Sequence, residues 1–259
     1  MRRGLVLVPL LALLLATACG SQNILQRDAV ASAAAKTEEA GSSRIALELA
    51  GNMLGRDVAL RGQGAFDYDA SRGQIELDAS SLVPGARVEV RAIDSTLYIH
   101  IPAGLSFWFP SVKPWLAVRG GRSLDAFGLG ELQQDPGQLL GIVRASSTRV
   151  AKTGTAVVRG VETTRYTAQL ELTKALEANA DALGLNEQER QQLRRAAEEL
   201  RRQAQRQTLP ITVFVDDEGL VRRLTLSSGG DRISVDFWDF GADVDVQSPP
   251  AADVQELFG

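Results

Sequence analysis

The stretch Glu162-Thr163-Thr164-Arg165-Tyr166-Thr167-Ala168-Gln169-Leu170-Glu171-Leu172 decides the fold. Thr164, Tyr166, Ala168, Leu170 and Leu172 share one parity; Arg165, Gln169 and Glu171 share the other. Successive side chains of a strand point to opposite faces, so this period of two predicts a strand with one apolar and one polar face. The pattern recurs outward in both directions. On the C-terminal side it appears over 209–215, 220–226 and 232–240, with Asp216-Asp217-Glu218-Gly219 as a hairpin turn. On the N-terminal side it appears in Ile45, Leu47 and Leu49, in Val58, Leu60, Phe66 and Tyr68, in Ile75 and Leu77, in Val88 and Val90, and in Leu97, Ile99 and Ile101. Gly51-Asn52, Asp69 to Gly73, Pro84-Gly85 and Asp94-Ser95 punctuate these runs as turns. Strands this close in sequence pair antiparallel as a meander, and a sheet of two-faced strands is solvated on one side.

The other side needs a cover, and helices supply it. Residues 22–40 have helical spacing and stop at Gly41. Asp135-Pro136 opens a helix to about 145, with Asp as N-cap and Pro in the first turn. Two more are predicted over 173–183 and from Asn186, where Glu189 completes a capping box. Their apolar stripes are thin and Ala-rich. The Arg-rich face of the last one interleaves Glu187, Glu189, Glu198 and Glu199 and reads as a solvated, salt-bridged surface. Thr148 to Thr153 and Thr155 to Arg159 read as two short strands about Gly154. A wide open sheet tends to curl, so the expected class is α+β: a single large, strongly bent antiparallel sheet with helices against its apolar side.

Composition narrows the function. The chain has 259 residues, 44% hydrophobic and 23% charged, which suits a globular domain and excludes a disordered chain or a polytopic membrane protein. The single Cys excludes a disulfide framework, and the single His excludes a multi-His metal site. A net charge of −4 gives no basic excess for nucleic acid. His100 lies on the polar parity beside Tyr98 and reads as a solvent-facing strand residue. No Gly-x-Ser-x-Gly elbow accompanies it. Asp216-Asp217-Glu218 lacks EF-hand spacing, and Asp67, Asp69 and Asp78 read as turn and edge residues. The expectation is a chain that is not an enzyme, with no metal and no cofactor.

Residues 1–18 read as a leader. Arg2 and Arg3 precede an apolar run from Leu5 to Leu15, too short for a comfortable membrane span. Ala16-Thr17-Ala18 then lead directly to Cys19, which resembles a bacterial lipobox, with Leu15 one place further out than usual. The resemblance implies thioether lipidation at Cys19 and cleavage before it; an ordinary signal peptide with a coincidental Cys is the alternative. The expected organisation is a leader over 1–18, a lipidated tether over 19–22, a domain over 23–246 and a C-terminal tail over 247–259.

Four further motifs, in order, resemble the LppX/LprAFG lipoproteins of actinobacteria within the wider LolA-like group. They are Lys113-Pro114-Trp115-Leu116-Ala117-Val118, Asp135-Pro136-Gly137-Gln138-Leu139-Leu140, Arg159-Gly160-Val161-Glu162-Thr163-Thr164-Arg165-Tyr166, and Leu209-Pro210-Ile211-Thr212-Val213-Phe214-Val215-Asp216 with Gly219-Leu220-Val221-Arg222-Arg223. The resemblance implies a half-barrel with helices on the concave face, in which some members hold lipid or glycolipid acyl chains. The residues expected to line that space, or else to pack as core, are Leu47, Leu60, Phe66, Leu77, Val90, Leu97 and Ile99 from the first half, with Tyr166, Leu170, Val213, Leu224 and Val235 from the second. Trp108 and Phe109, in a loop without a counterpart in the family, are the candidate mouth, with a membrane-dipping loop or plain packing as the alternatives. The implied protein is a monomer, anchored by Cys19 on the extracytoplasmic face of the cell membrane. It carries lipid or glycolipid across the envelope with an envelope transporter or sensor as partner, or else is a non-catalytic sensor or interaction lipoprotein that presents the same fold to a membrane partner.

Overall fold

The computed structural model describes residues 18–53, 56–94, 96–102, 112–119, 140–141, 143–145, 147–171, 187, 191, 195, 208–228 and 230–256. A helix, α1 (Ala18–Glu39), leads into β1 (Ser42–Met53), β2 (Arg56–Asp67), β3 (Arg72–Asp78), β4 (Arg87–Ile93), β5 (Thr96–His100) and β6 (Trp115–Arg119). Then come β7 (Ser147–Val158), β8 (Val161–Glu171), β9 (Thr208–Val215), β10 (Val221–Ser228), β11 (Asp231–Trp238) and β12 (Val254–Glu256). They form a twelve-stranded sheet in the order β12-β6-β5-β4-β3-β2-β1-β11-β10-β9-β8-β7.

The register follows the alternation read from the sequence. In β1, Ile45 pairs with Phe237, Leu47 with Val235 and Leu49 with Ile233, so the apolar sets of β1 and β11 share a face. Three expectations need correction. The sheet is mixed, because β12 runs parallel to β6; the segment expected as a tail contributes this strand. The stretch about Gly154 is one strand rather than two. Register shifts between Thr148 and Ala151 and between Lys152 and Gly154 absorb the irregularity, and Gly154 takes φ +139°. The polar face is not fully solvated. Trp115 and Ala117 lie on it yet are buried, and the chain after β11 runs back along this face. Ser42 Oγ donates to the Ala242 carbonyl and Arg91 Nη1 to the Gln247 carbonyl at 2.8 Å. His100 accordingly stacks on Trp115, 4.9 Å between centroids, and is half-buried rather than solvent-facing.

The helix α1 is seated by small residues. Val30, Ala33, Ala34 and Thr37 recur at helical spacing, and all four are buried. The Thr37 hydroxyl donates to the Ala33 carbonyl at 2.7 Å and accepts from the Val221 N–H at 2.8 Å, tying the helix to the start of β10. Gly41 at φ +78° ends the helix, its N–H bonded to the Glu38 carbonyl. The helical stripe packs with Val150, Ala168, Leu170, Ile211, Val213 and Leu224, so α1 covers the β7–β11 half of the apolar face. Residues 140–141 and 143–145 are helical, as expected, and place Leu140 and Val143 in the same core. The helices expected over 173–183 and from Asn186 lie outside the described residues except 187, 191 and 195, which are helical.

Candidate functional site: the apolar face of the sheet

One row of cross-strand neighbours defines the face: Tyr166, Val213, Leu224, Val235, Leu47, Gly62, Leu77 and Val88, in consecutive positions from β8 to β4. Its burial changes along the way. Val213 and Leu224 are 0% exposed and Val235 is buried, whereas Leu47, Leu77 and Val88 are half-buried. The next row repeats the change: Phe237 is 0% exposed and Ile45 is buried, whereas Ile75, Val90 and Ile99 are half-buried. The face is core on the α1 side and partly open on the β3–β5 side.

All twelve expected residues lie on this face. Leu60, Phe66, Leu97, Leu170, Val213, Leu224 and Val235 are buried; Leu47, Leu77, Val90, Ile99 and Tyr166 are half-buried. Ile75 and Val88 share the face and extend the set. Trp108 and Phe109 lie outside the described residues.

Where core gives way to open face, β2 carries no side chains. Gly62 and Gly64 stand where the alternation calls for large residues. A Cβ on Gly62 would meet the Glu76 carbonyl oxygen at 2.8 Å, and one on Gly64 would overlap the Gln74 carbonyl oxygen. The β3 backbone thus folds over β2 on this side, which only glycine permits. The signal was present in the sequence as two glycines inside one apolar parity.

The polar atoms of this face are few. Ser43, fully buried, hydrogen-bonds the Tyr68 hydroxyl at 2.5 Å. Charge is kept on the opposite face, where a groove of about 650 Å³ is lined by residues including Glu48, Arg61, Glu76, Arg87, Arg159, Arg223 and Asp236. Its charges are matched internally: Arg61 with Glu48, Arg87 with Glu76, and Asp236 with both Arg223 and Arg159. The hydrogen bond to Asp236 raises the Arg223 pKa above its ordinary value, despite partial burial. The guanidinium of Arg159 also lies 3.6 Å over the Trp238 ring. One carboxylate expected as a simple turn residue is buried: Asp216 accepts from the Leu220 N–H at 2.8 Å and from Arg222 Nε at 2.5 Å, closing the β9–β10 hairpin. Among the described residues, no group of three or more His, Cys, Asp or Glu is placed to hold a metal, and no helix is long and apolar enough to cross a membrane.

No family model and no curated protein matches the sequence. Similarity appears in solved structures. The lipoprotein LppX of Mycobacterium tuberculosis aligns over 87% of this chain and 100% of its own, at a TM-score of 0.54 and 13% identity. LprF of Mycobacterium bovis aligns over 86% of this chain and 96% of its own, at a TM-score of 0.48 and 13% identity. A LolA superfamily protein of Nitrosomonas europaea aligns over 85% and 96%, at a TM-score of 0.32 and 8% identity. The resemblance to the LppX-type lipoproteins read in the sequence therefore holds at the level of the fold: this chain is built as LppX is.

Proposed function

We propose that the chain is a lipid-anchored protein of the extracytoplasmic membrane face whose apolar sheet face takes up the acyl chains of a lipid or glycolipid. In this reading the sheet bends into a half-barrel around α1 and the other helices, with acyl chains over its β1–β5 side and the polar head group at the rim. Cys19 carries the anchor, and Trp108 and Phe109 stand at the mouth. The protein binds its cargo without converting it and passes it along the envelope.

The observation that carries the reading is the change of burial along one continuous apolar row. Leu77, Val88, Val90 and Ile99 belong to the core face by register yet are only half-buried. Exposed apolar surface on an inward face gains about 25 cal/mol per Å² when an acyl chain covers it, before the costs of ordering that chain. Gly62 and Gly64 add no side chains of their own beside these residues, and Leu77 and Ile75 lean over Gly62. The fold shared with the lipoprotein LppX supports the same assignment.

The test is lipid extraction and native mass spectrometry of the Cys19→Ser chain purified from a lipid-containing host. The reading expects acyl lipid bound in stoichiometric amount. A clean apo mass that persists after incubation with total lipid extract overturns it.

A further inference from the structure

The turn between β3 and β4 holds two large apolar side chains out of the fold. Leu82 is 44% exposed and Val83 38%, in a stretch, Ala79 to Ala86, without a single charged residue. This exposure does not come from a loose loop. The N–H groups of Leu82 and Val83 both donate to the Ala79 carbonyl, at 2.9 and 3.0 Å, and the Ala86 N–H donates to that of Val83 at 2.9 Å. Ser81 Oγ donates to the Ala59 carbonyl at 2.9 Å, and Asp78 accepts from the Ser80 N–H. Ala79 and Ala86 are buried against Leu49, Val58 and Leu60. The tip is a rigid apolar knuckle.

Its surroundings are sided. Arg87 follows it directly and Arg61 pairs across from Asp78; their side chains are 75% and 74% exposed, bonded at 3.1 Å to Glu76 and Glu48. The turns at the other end of the sheet are acidic: Asp67 and Asp69 between β2 and β3, Asp94, paired with Arg72, between β4 and β5, and the exposed Asp217 and Glu218 between β9 and β10. Lys36 at the end of α1 joins that acidic end by donating to the Glu218 carbonyl. One end of the sheet thus presents apolar side chains flanked by Arg87 and Arg61 and by the carboxylates beside them, Glu76, Glu48 and Asp78; the other presents exposed carboxylates and no such tip.

From this we infer a second membrane contact, separate from the acyl anchor. Leu82 and Val83 insert into the interfacial region of an anionic bilayer, with Arg87 and Arg61 at the level of the phosphates and the acidic turns facing away. A rigid apolar tip is what a bilayer interface stabilises, and the acidic turns of the opposite end are repelled from one of anionic lipid. The contact sets the orientation of the domain on the membrane. It rests on the anchored reading only for bringing the bilayer close.

The experiment removes that dependence. Of the described residues only Ala18, the first of α1, precedes residue 19, so a Cys19→Ser chain starting at residue 19 keeps every described strand and the buried stripe of α1. An N-terminal hexahistidine tag tethers it to vesicles of phosphatidylcholine, phosphatidylglycerol and a nickel-chelating lipid. An environment-sensitive NBD dye is placed at Leu82→Cys or, as the opposite-end control, at Asp217→Cys. The inference expects a severalfold rise in emission with a blue shift for the dye at 82, quenched by spin-labelled lipid, and no change at 217. Adding Val83→Asp to the Leu82→Cys chain is expected to abolish most of the rise. Water-like emission at both positions on tethered protein overturns the inference, as does an equal response at both. Neither result depends on whether Cys19 is acylated or the sheet face holds lipid.

Discussion

Truncating two leucines of the same row separates a core from a lining. Leu224 and Leu77 lie on one cross-strand row, separated by Val235, Leu47 and Gly62. Leu224 is 0% exposed beneath α1, whereas Leu77 is half-buried beyond Gly62. Leu224→Ala loses the transfer free energy of its removed carbons and leaves a cavity that the helix and strands close only partly, at a cost of about 3–4 kcal/mol. Leu77→Ala removes the same carbons from a site already partly open. At ~0.8 kcal/mol per buried methylene and half burial, with no cavity to fill, the cost is about 1 kcal/mol. Urea unfolding followed by tryptophan fluorescence measures both. In thermal melts the difference appears as a drop of roughly 6–16 °C for Leu224→Ala against ~2–4 °C for Leu77→Ala. Equal costs would show that the β3–β5 side is packed as tightly as the α1 side, and the division of the face would be wrong.

Other expectations follow from single contacts. Gly64→Ala puts a methyl onto the Gln74 carbonyl oxygen and costs about 3 kcal/mol; Gly85→Ala meets nothing within 4 Å and bears only the strain of φ +73°, about 1 kcal/mol, so equal urea midpoints would remove the close approach of β2 and β3. Thr37→Val leaves the buried Val221 N–H without its acceptor and destabilises by about 1–3 kcal/mol, with earlier hydrogen exchange at Val221 as the specific mark. Asp78, held by the Ser80 hydroxyl and N–H and secondarily by Arg87 and Arg61, titrates below its ordinary 3.8. Its folded pKa is depressed, so its contribution to holding the knuckle is complete above about 4 and is lost as pH falls through the folded value; an NMR-observed carboxyl titration at or above 3.8 contradicts this.

Much of the architecture was legible because strand alternation is a strong local signal. The parity of Tyr166 and Leu170 in one strand, and of Leu47 in another, predicted a shared face that the register then joined. What escaped was non-local. Nothing near Val254 announces a parallel partner 139 positions earlier at Trp115, and the burial of Trp115 on the polar parity depends on where the returning chain passes. Asp216 looked like a turn residue because its partners, Leu220 and Arg222, become a cage only once the hairpin closes. Alternation placed the expected residues on one face but is blind to the gradient of burial along it, since burial depends on what α1 covers. Alternation marks Leu224 and Leu77 alike.

Titration with cis-parinaric acid, whose fluorescence rises in an apolar site, asks directly whether the sheet face takes up an acyl chain. The Cys19→Ser chain from residue 19 is compared with its Leu77→Arg, Leu77→Trp and Leu82→Asp variants, each with its urea midpoint measured. Saturable uptake is expected for the parent and for Leu82→Asp. Uptake is expected to be at least tenfold weaker when Arg places a charge on the open side of the face or Trp fills it, with the fold retained in both. Undiminished uptake in the folded Leu77 variants, or no uptake by the lipid-stripped parent, would show that this face does not bind acyl chains.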